Sequence, residues 1–190
     1  MKTRVPIGLL ALLFVSLAAR MQGADFDFYE RLTSLVDTNR FGPDLTNTTL
    51  SLAKLKQNGE IAGVKLGSSM SAAVQKWRKP RSFISSCNSD PVLSFGHGAL
   101  GFRGDKVVRM SISPNTIPGL CFENGLTPTN TPAQFARTLG VPAPDPEHWL
   151  LTLESDTTTM ELQWMHFATG GRQLGFLNLE LHEPRQANSR

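Results

Sequence analysis

The sequence predicts an α+β fold made of two tandem units, each a helix followed by an antiparallel sheet, after an N-terminal helical segment. Two stretches, Gly63–Pro80 (GVKLGSSMSAAVQKWRKP) and Gly125–Pro142 (GLTPTNTPAQFARTLGVP), share glycine and proline positions and apolar spacing. In each, a hydroxyl residue can cap a helix, an apolar stripe of about two turns follows, and a proline ends the helix. Strand-like runs with glycine turns come next. We expect units at residues 63–113 and 125–181.

The first 24 residues have the pattern of a secretory signal peptide. Lys2 and Arg4 form a basic start, and the apolar run Ile7–Ala19 is shorter than the roughly 20 residues that span a bilayer. An uncleaved N-terminal anchor is the alternative. We expect residues 1–24 to be removed and the mature chain to be periplasmic or extracellular. No membrane association is predicted beyond this export signal.

The charge balance argues against a nucleic acid partner. The chain has 19 basic and 16 acidic residues, and loss of the basic Lys2, Arg4 and Arg20 with the signal peptide leaves 16 of each sign. No cluster of Lys and Arg with interleaved aromatic residues remains to follow a phosphate backbone. The charge balance therefore predicts no nucleic acid partner, and a protein partner is expected on other grounds given below.

The two cysteines, Cys87 and Cys121, both lie in the predicted mature chain. Export to an oxidising compartment favours a disulfide between them, which stabilises a fold by about 3–4 kcal/mol through the loop that it closes. Two separate buried thiols are the alternative, each behaving as a small apolar side chain. A catalytic cysteine is less favoured than either, because neither cysteine has a recognisable histidine partner.

Residues 25–62 are predicted to be mainly helical. In the run DFDFYERLTSLVDTN, which starts at Asp25, apolar residues recur at helical spacing and acids lie near the start. A second, shorter helix is predicted over Leu50–Gln57, with Asn58-Gly59 as its stop signal. This segment leads directly into the first unit.

In the first unit the helix is predicted to begin at Ser69. Its apolar face, which we expect to be core, consists of Met70, Ala73, Val74 and Trp77. A polar connection, residues 81–90, then leads to strands around turns at Gly96–Gly98 and Gly104-Asp105. Alternation predicts that the last strand has Val107, Arg109 and Ser111 on one side and Val108, Met110 and Ile112 on the other.

The second unit has stronger helix signals. Thr131 is the predicted cap, Pro132 occupies the first helical position, and Gln134 completes a T-x-x-Q capping box. After a proline-rich linker, strands are predicted over residues 148–153, 160–167 and 173–181. Residues 182–190 are expected to form a disordered tail.

Gly63–Pro80 followed by a glycine-turned hairpin is similar to the G-x-x-x-G-x-(S/T)-x-x-x-V-x-x-x-x-G-x-P units of the SmpA/OmlA (BamE-like) envelope proteins. Two units in tandem resemble the β-lactamase-inhibitor-protein type of fold, and Asn58–Pro80 also resembles a motif of uncharacterised secreted bacterial proteins. The resemblance implies helices layered on a sheet and an envelope role through protein contacts. Arg78 departs from the family, which has glycine at this position, and the lipid-anchor cysteine of BamE-like proteins is missing.

Motifs for catalysis, metals or cofactors are weak. Four histidines are scattered without metal-ligand spacing: His97, His148, His166 and His182. Ser51–Lys54 matches S-x-x-K, but the companion motifs of that enzyme class are missing. Two Glu–His pairs are the candidates for acid–base chemistry: Glu147 with His148, and Glu180 with His182. The sequence predicts no cofactor, no metal and no enzyme.

The strand predicted over residues 160–167 carries the candidate interface. Alternation places Leu162, Trp164 and His166 on one face, and Glu161, Gln163, Met165 and Phe167 on the other. The favoured interpretation packs one face on the helix of the second unit and the other against the first unit. If one face is open, Trp164 with His166, or Met165 with Phe167, are candidate interface residues.

Three functions remain compatible with the sequence, and the first is favoured. It is a secreted or periplasmic, non-enzymatic protein that binds a protein partner or assists envelope assembly. The second, from fold analogy, is a secreted inhibitor of a hydrolase. The third is a hydrolase with an unrecognised site, which requires His97, His148 or His166 to meet acidic residues.

Overall fold

The computed structural model describes residues 30–38, 45–78, 80–86, 89–145, 149–168 and 171–182. The chain divides into two compact parts, Met1–Val36 and Asp37–Arg190. In the first part, residues 30–34 are helical. The signal peptide, the rest of the predicted first helix and the predicted tail beyond residue 182 lie outside the described residues.

The larger part contains short helices and many strands. In chain order they are β1 (Thr49–Leu50), α1 (Leu52–Asn58), β2 (Glu60–Ile61), β3 (Val64–Lys65), α2 (Met70–Trp77), β4 (Ser82–Ser86), β5 (Ser89–Phe95), β6 (Gly98–Arg103), β7 (Lys106–Ile112), a 3-10 turn (Pro114–Thr116), β8 (Cys121–Phe122), α3 (Pro132–Leu139), β9 (Leu150–Glu154), β10 (Thr158–Phe167) and β11 (Gly171–Leu181). The predicted α+β class is confirmed.

One seven-stranded antiparallel sheet dominates the fold. Its strands lie in the order β4-β5-β6-β7-β11-β10-β9, so the strands that precede and follow α3 share a single sheet. The join is the pairing of β7 with β11, from Arg109 opposite Glu180 to Ile112 opposite Leu177. Two smaller pairs flank it, the parallel pair β1 and β8 and the hairpin of β2 and β3.

The predicted helix starts at Ser69 and Thr131 are confirmed, whereas the helix predicted over Leu50–Gln57 begins at Leu52 because Leu50 belongs to β1. The Ser69 hydroxyl accepts a hydrogen bond from the Ala72 amide at the start of α2. In α3, Thr131 and Gln134 form the predicted capping box, with proline in the first turn. The helix before α2 is α1, which is capped by Ser51 and ends at Gly59 with φ of 55°.

The core lies between the helices and one side of the sheet. The helices bury Trp77 and Phe135 completely. The ring of Trp77 contacts Phe95 of β5 edge-on at 5.4 Å, and that of Phe135 contacts Trp164 of β10 at 5.2 Å. Between them, apolar residues of the sheet pair across the strands: one row consists of the buried Leu93, Leu100, Met110, Leu179 and Met160 and ends at the half-buried Leu153.

Two details differ from the sequence prediction. Residues 81–90, predicted as a polar connection, form β4 and the start of β5, where Phe83 pairs with Leu93. In β7, Val107 was predicted to share a face with the exposed Arg109, but it is fully buried. The physical reason is a register shift: Phe102 pairs with Val107 and Gly101 with Arg109, so a bulge at Val108 resets the alternation.

Candidate functional site

Trp164, the first candidate interface residue, belongs to the core. Its side chain is 4% exposed, and its indole Nε1 donates a hydrogen bond to the Asn130 carbonyl oxygen at 2.7 Å. Phe135 of α3 lies against it, and Phe122 lies in turn against Phe135 at 4.9 Å. One face of β10 therefore packs on α3, as the sequence analysis favoured for this face.

The other three candidates are more accessible. Met165 is 38% exposed, His166 is exposed at the end of β10, and Phe167 is half-buried opposite Gly171. Trp164 and His166 therefore do not form a common exposed pair, although alternation placed them on one face. Met165 and Phe167 are two positions apart on β10, and Met165 is the more exposed of the two.

The sequence analysis favoured packing of the second face of β10 against the first unit, and the structure differs here. Because β7 pairs with β11, the strands of both halves lie side by side and not face to face. The face of the seven-stranded sheet opposite the helices is here called the open face, and within Asp37–Arg190 no described helix or strand forms a layer over it.

The middle of the open face carries small side chains. Strand pairing places Ser94, Ala99 and Ser111 side by side across β5, β6 and β7. Next to them, Ser111 donates a hydrogen bond to the Asn178 side-chain oxygen at 2.6 Å. Small side chains leave the backbone of the sheet accessible to a partner surface.

Large apolar side chains lie at one corner of the open face. Phe176 of β11 is opposite Gln163 of β10, which is opposite Leu150 of β9, and Met165 is two residues beyond Gln163. Leu150, Met165 and Phe176 are 43%, 38% and 37% exposed. We call these three residues the apolar corner. The sequence analysis named only Met165 of this group, because Leu150 and Phe176 come from strands whose pairing the sequence does not reveal.

Ion pairs occupy other parts of the open face. The Arg109 guanidinium contacts the Glu180 carboxylate at 2.8 Å, across the join of β7 and β11. Arg103 contacts Asp90 at 3.0 Å, nearer the β4 edge. In contrast, Glu161 and Glu154 form no ion pair with another described residue, and strand alternation places both on this face.

The described histidines lie in different surroundings. His97 is buried beside Trp77, with ring centroids 4.6 Å apart. His182 contacts the Thr159 hydroxyl, whereas Glu180 pairs with Arg109, so the drawn Glu180–His182 pair does not form. The other drawn pair, Glu147 with His148, lies outside the described residues.

The remaining sequence motifs have structural roles or stay predictions. Ser51 of the S-x-x-K match caps α1 by accepting from the Lys54 amide at 3.3 Å. Cys121 is half-buried in β8, where its Sγ lies 3.3 Å from the Thr49 hydroxyl. Cys87 lies outside the described residues, so the Cys87–Cys121 disulfide stays a prediction. The described residues contain no group of three or more His, Cys, Asp or Glu side chains suited to a metal ion.

An aromatic contact joins β11 to the residue that precedes β9. The Arg172 guanidinium carbon lies 3.7 Å from the centre of the Trp149 ring, a cation–π geometry.

Within the part of the chain described, no helix has the length and apolar character needed to cross a membrane. In comparisons with known proteins, no family model, curated protein or solved structure matches this chain.

Proposed function

We propose that this chain is an exported, non-enzymatic protein that binds another protein on the open face of its seven-stranded sheet. The observation that carries the proposal is the apolar corner, where Leu150, Met165 and Phe176 are exposed side by side. Large exposed apolar side chains grouped with a polar surround are typical of protein interfaces.

The surround of the apolar corner indicates the charge of the partner. Glu161 is two residues before Gln163 on β10, and Glu154 lies on the neighbouring edge strand, β9. Because neither carboxylate pairs with another described residue, a Lys or Arg of the partner can pair with each of them. The partner surface therefore combines an apolar anchor with basic side chains. The small residues Ser94, Ala99 and Ser111 allow the rest of that surface to approach closely.

Export, the disulfide and the tandem arrangement belong to the same proposal. The signal-peptide pattern of residues 1–24 supports a periplasmic or extracellular location, where Cys87 and Cys121 can be oxidised. The order of elements supports two related units, since α2 precedes β4 to β7 and α3 precedes β9 to β11. The likeness to BamE-like units adds a role in the cell envelope, by analogy only.

The experiment compares three forms of the mature chain, starting at Asp25, as baits for a periplasmic and outer-membrane extract of the source organism. Phe176→Glu places a charge in the apolar corner, and Gln75→Glu places the same charge on the exposed side of α2. Proteins retained by the wild type are then purified, and their binding to all three forms is measured directly.

We expect a partner whose affinity falls by about 30-fold or more with Phe176→Glu, since a buried interface anchor contributes roughly 2 kcal/mol or more. Equal affinity for both variants would place binding elsewhere on the molecule. If the retained protein is a hydrolase that the chain inhibits, the inhibitor function is the specific form of this proposal. If a folded sample retains nothing, the binding function is contradicted.

A further inference from the structure

A groove lies along the outer edge of β9, on the helix side of the sheet. It consists of two adjoining cavities of about 470 and 420 Å³, and Lys56, Ser155 and Thr158 line both. The first cavity is mainly polar, with Asn58 and Asp156 in its lining. We call the two cavities together the edge groove. It is separate from the open face, which lies on the opposite side of the sheet.

The backbone of β9 faces this groove with unused hydrogen-bonding groups. The Trp149 oxygen accepts from the Trp164 amide, and the Ser155 amide donates to the Thr158 oxygen, each at 2.8 Å. Residues 149, 151, 153 and 155 therefore bond towards β10, and the groups of residues 150, 152 and 154 point outwards. Among the described residues, none bonds to these outward amides and carbonyls.

The lining of the second cavity agrees with this geometry. Successive residues of a strand point to opposite faces, yet Thr152, Leu153 and Glu154 all line the cavity. A cavity that touches three consecutive residues runs along the edge of the strand. The edge has neither proline nor lysine, two residues that commonly protect exposed edges from pairing, and its one charged residue is Glu154.

The walls of the groove define the side chains that fit it. Leu55, Val141 and Met160 make the second cavity apolar. Among the described residues that line the two cavities, Lys56 is the one cation, beside the acidic Asp156 and Glu154, and its Nζ donates to the Leu139 oxygen at 3.2 Å. This hydrogen bond uses one of the three ammonium donors, so two are left for a carboxylate.

We propose that an extended peptide segment of another protein adds to β9 as a further strand of the sheet. The segment matches the five residues of β9. Its backbone pairs with residues 150, 152 and 154, every second side chain enters the apolar cavity, and a carboxylate pairs with Lys56. This is recognition by strand addition, in which main-chain hydrogen bonds supply affinity and the pockets for alternate side chains supply specificity.

A second copy of the chain fits the groove less well. The acidic residue of β9 itself is Glu154, which pairs with Thr159 and lies on the open face. If two copies joined edge to edge in a continuous sheet, Glu154 of each would stay on that face and no carboxylate would reach Lys56. A segment of another protein that has an acidic residue or a C-terminal carboxylate can pair with the backbone of β9 and also with the Lys56 ammonium.

The test uses a displayed library of random heptapeptides, selected against the immobilised mature chain. Selected peptides are synthesised with a fluorophore, and their affinity is measured by anisotropy. We expect alternating aliphatic or β-branched residues with an acidic residue. In Thr152→Pro the outward amide is lost while the hydrogen bonds to β10 stay, and Thr152→Val is the matched control that keeps the amide. We expect about tenfold weaker binding for Thr152→Pro alone.

Lys56→Gln tests the charge, and we expect weaker binding that depends less on salt than in the wild type. Hydrogen exchange is measured on the wild type, so its result does not depend on whether a variant folds. Bound peptide is expected to slow exchange at the amides of Leu150, Thr152 and Glu154. The inference is overturned if no peptide is selected, if Thr152→Pro binds as well as Thr152→Val, or if those amides are unaffected. A dimer in sedimentation that Thr152→Pro abolishes would assign the edge to a second copy instead.

The outcome does not depend on the proposed binding at the open face. Phe176→Glu leaves the edge groove unchanged, so it serves as a further control in the peptide measurement. Loss of peptide binding in Thr152→Pro together with its retention in Phe176→Glu separates the two surfaces.

Discussion

The indole Nε1 of Trp164 hydrogen-bonds the backbone oxygen of Asn130 at 2.7 Å, and so fixes the middle of β10 to the loop that leads into α3. The same ring is buried against Phe135. The side chain thus contributes apolar burial and also satisfies a carbonyl that lies close to the start of a helix.

Replacing Trp164 by alanine is expected to lower the free energy of unfolding by about 3–5 kcal/mol, the usual cost of removing a large buried aromatic side chain. Trp164→Phe keeps a buried ring and leaves the Asn130 oxygen without its donor, so we expect a smaller loss of about 1–3 kcal/mol. Urea unfolding measures both. Met165→Ala, on the neighbouring exposed position, is the control and is expected to cost less than about 1 kcal/mol. Similar losses for Trp164→Ala and Met165→Ala would contradict the assignment of Trp164 to the core.

Gly98 is expected to tolerate no side chain. A Cβ added there would overlap the carbonyl oxygen of Ser111 on the neighbouring strand, which is backbone and cannot move aside easily. At Gly101 the nearest atom is the Arg109 Cβ at 3.2 Å, which belongs to a side chain. We therefore expect Gly98→Ala to cost about 3 kcal/mol and Gly101→Ala about 1 kcal/mol or less in thermal unfolding. The reverse order would show that the approach of β6 to β7 is not as close as described.

The cap of α3 is expected to contribute more than the cap of α2. The Thr131 hydroxyl accepts from the Gln134 amide, and the Gln134 side-chain oxygen accepts from the Thr131 amide at 2.7 Å. In α2, Ser69 makes the first kind of bond, and the methyl side chain of Ala72 cannot return it. Thr131→Ala is therefore expected to cost about 1–2 kcal/mol and Ser69→Ala about 1 kcal/mol. Thr131→Ser, which keeps the hydroxyl, should unfold at nearly the wild-type temperature, and a large loss with this variant would argue against the capping box.

The Arg109–Glu180 ion pair is expected to add little stability, although it spans the join of β7 and β11. Its side chains are 54% and 51% exposed, so water and salt screen the attraction. A double-mutant cycle with Arg109→Ala and Glu180→Ala should give a coupling free energy below about 1 kcal/mol, and less at high salt. A coupling above about 2 kcal/mol that persists at high salt would contradict this expectation.

Local sequence signals predicted the helices well because each signal acts within a few residues. The hydroxyl of Ser69 and the T-x-x-Q run at Thr131 mark where α2 and α3 begin, and the left-handed Gly59 marks where α1 ends. The buried faces followed from spacing alone. The turn at Gly104-Asp105 was predictable for the same reason, since the turn depends on the conformations that these residues favour.

The sheet was harder to predict because pairing joins residues that are distant in the sequence. Nothing in residues 81–90 distinguishes an edge strand from a polar loop, since an edge strand exposes much of its length and can be serine-rich. The bulge at Val108 is set by its neighbouring strand, so alternation within β7 misplaced Val107. The apolar corner is likewise composed of residues from three strands, and the sequence places Phe176 next to Gln163 only once the register is known.

The pairing of β7 with β11 also has a consequence for the order in which the chain folds. The residues that meet there are far apart in sequence, with Arg109 and Glu180 separated by 71 positions. Closing so long a loop costs entropy before any contact compensates for it, which slows folding in proteins dominated by non-local contacts. The β4 to β7 meander can form from neighbouring residues alone, but β7 remains an edge until β11 arrives. The centre of the finished sheet is therefore expected to be among the last places to become ordered.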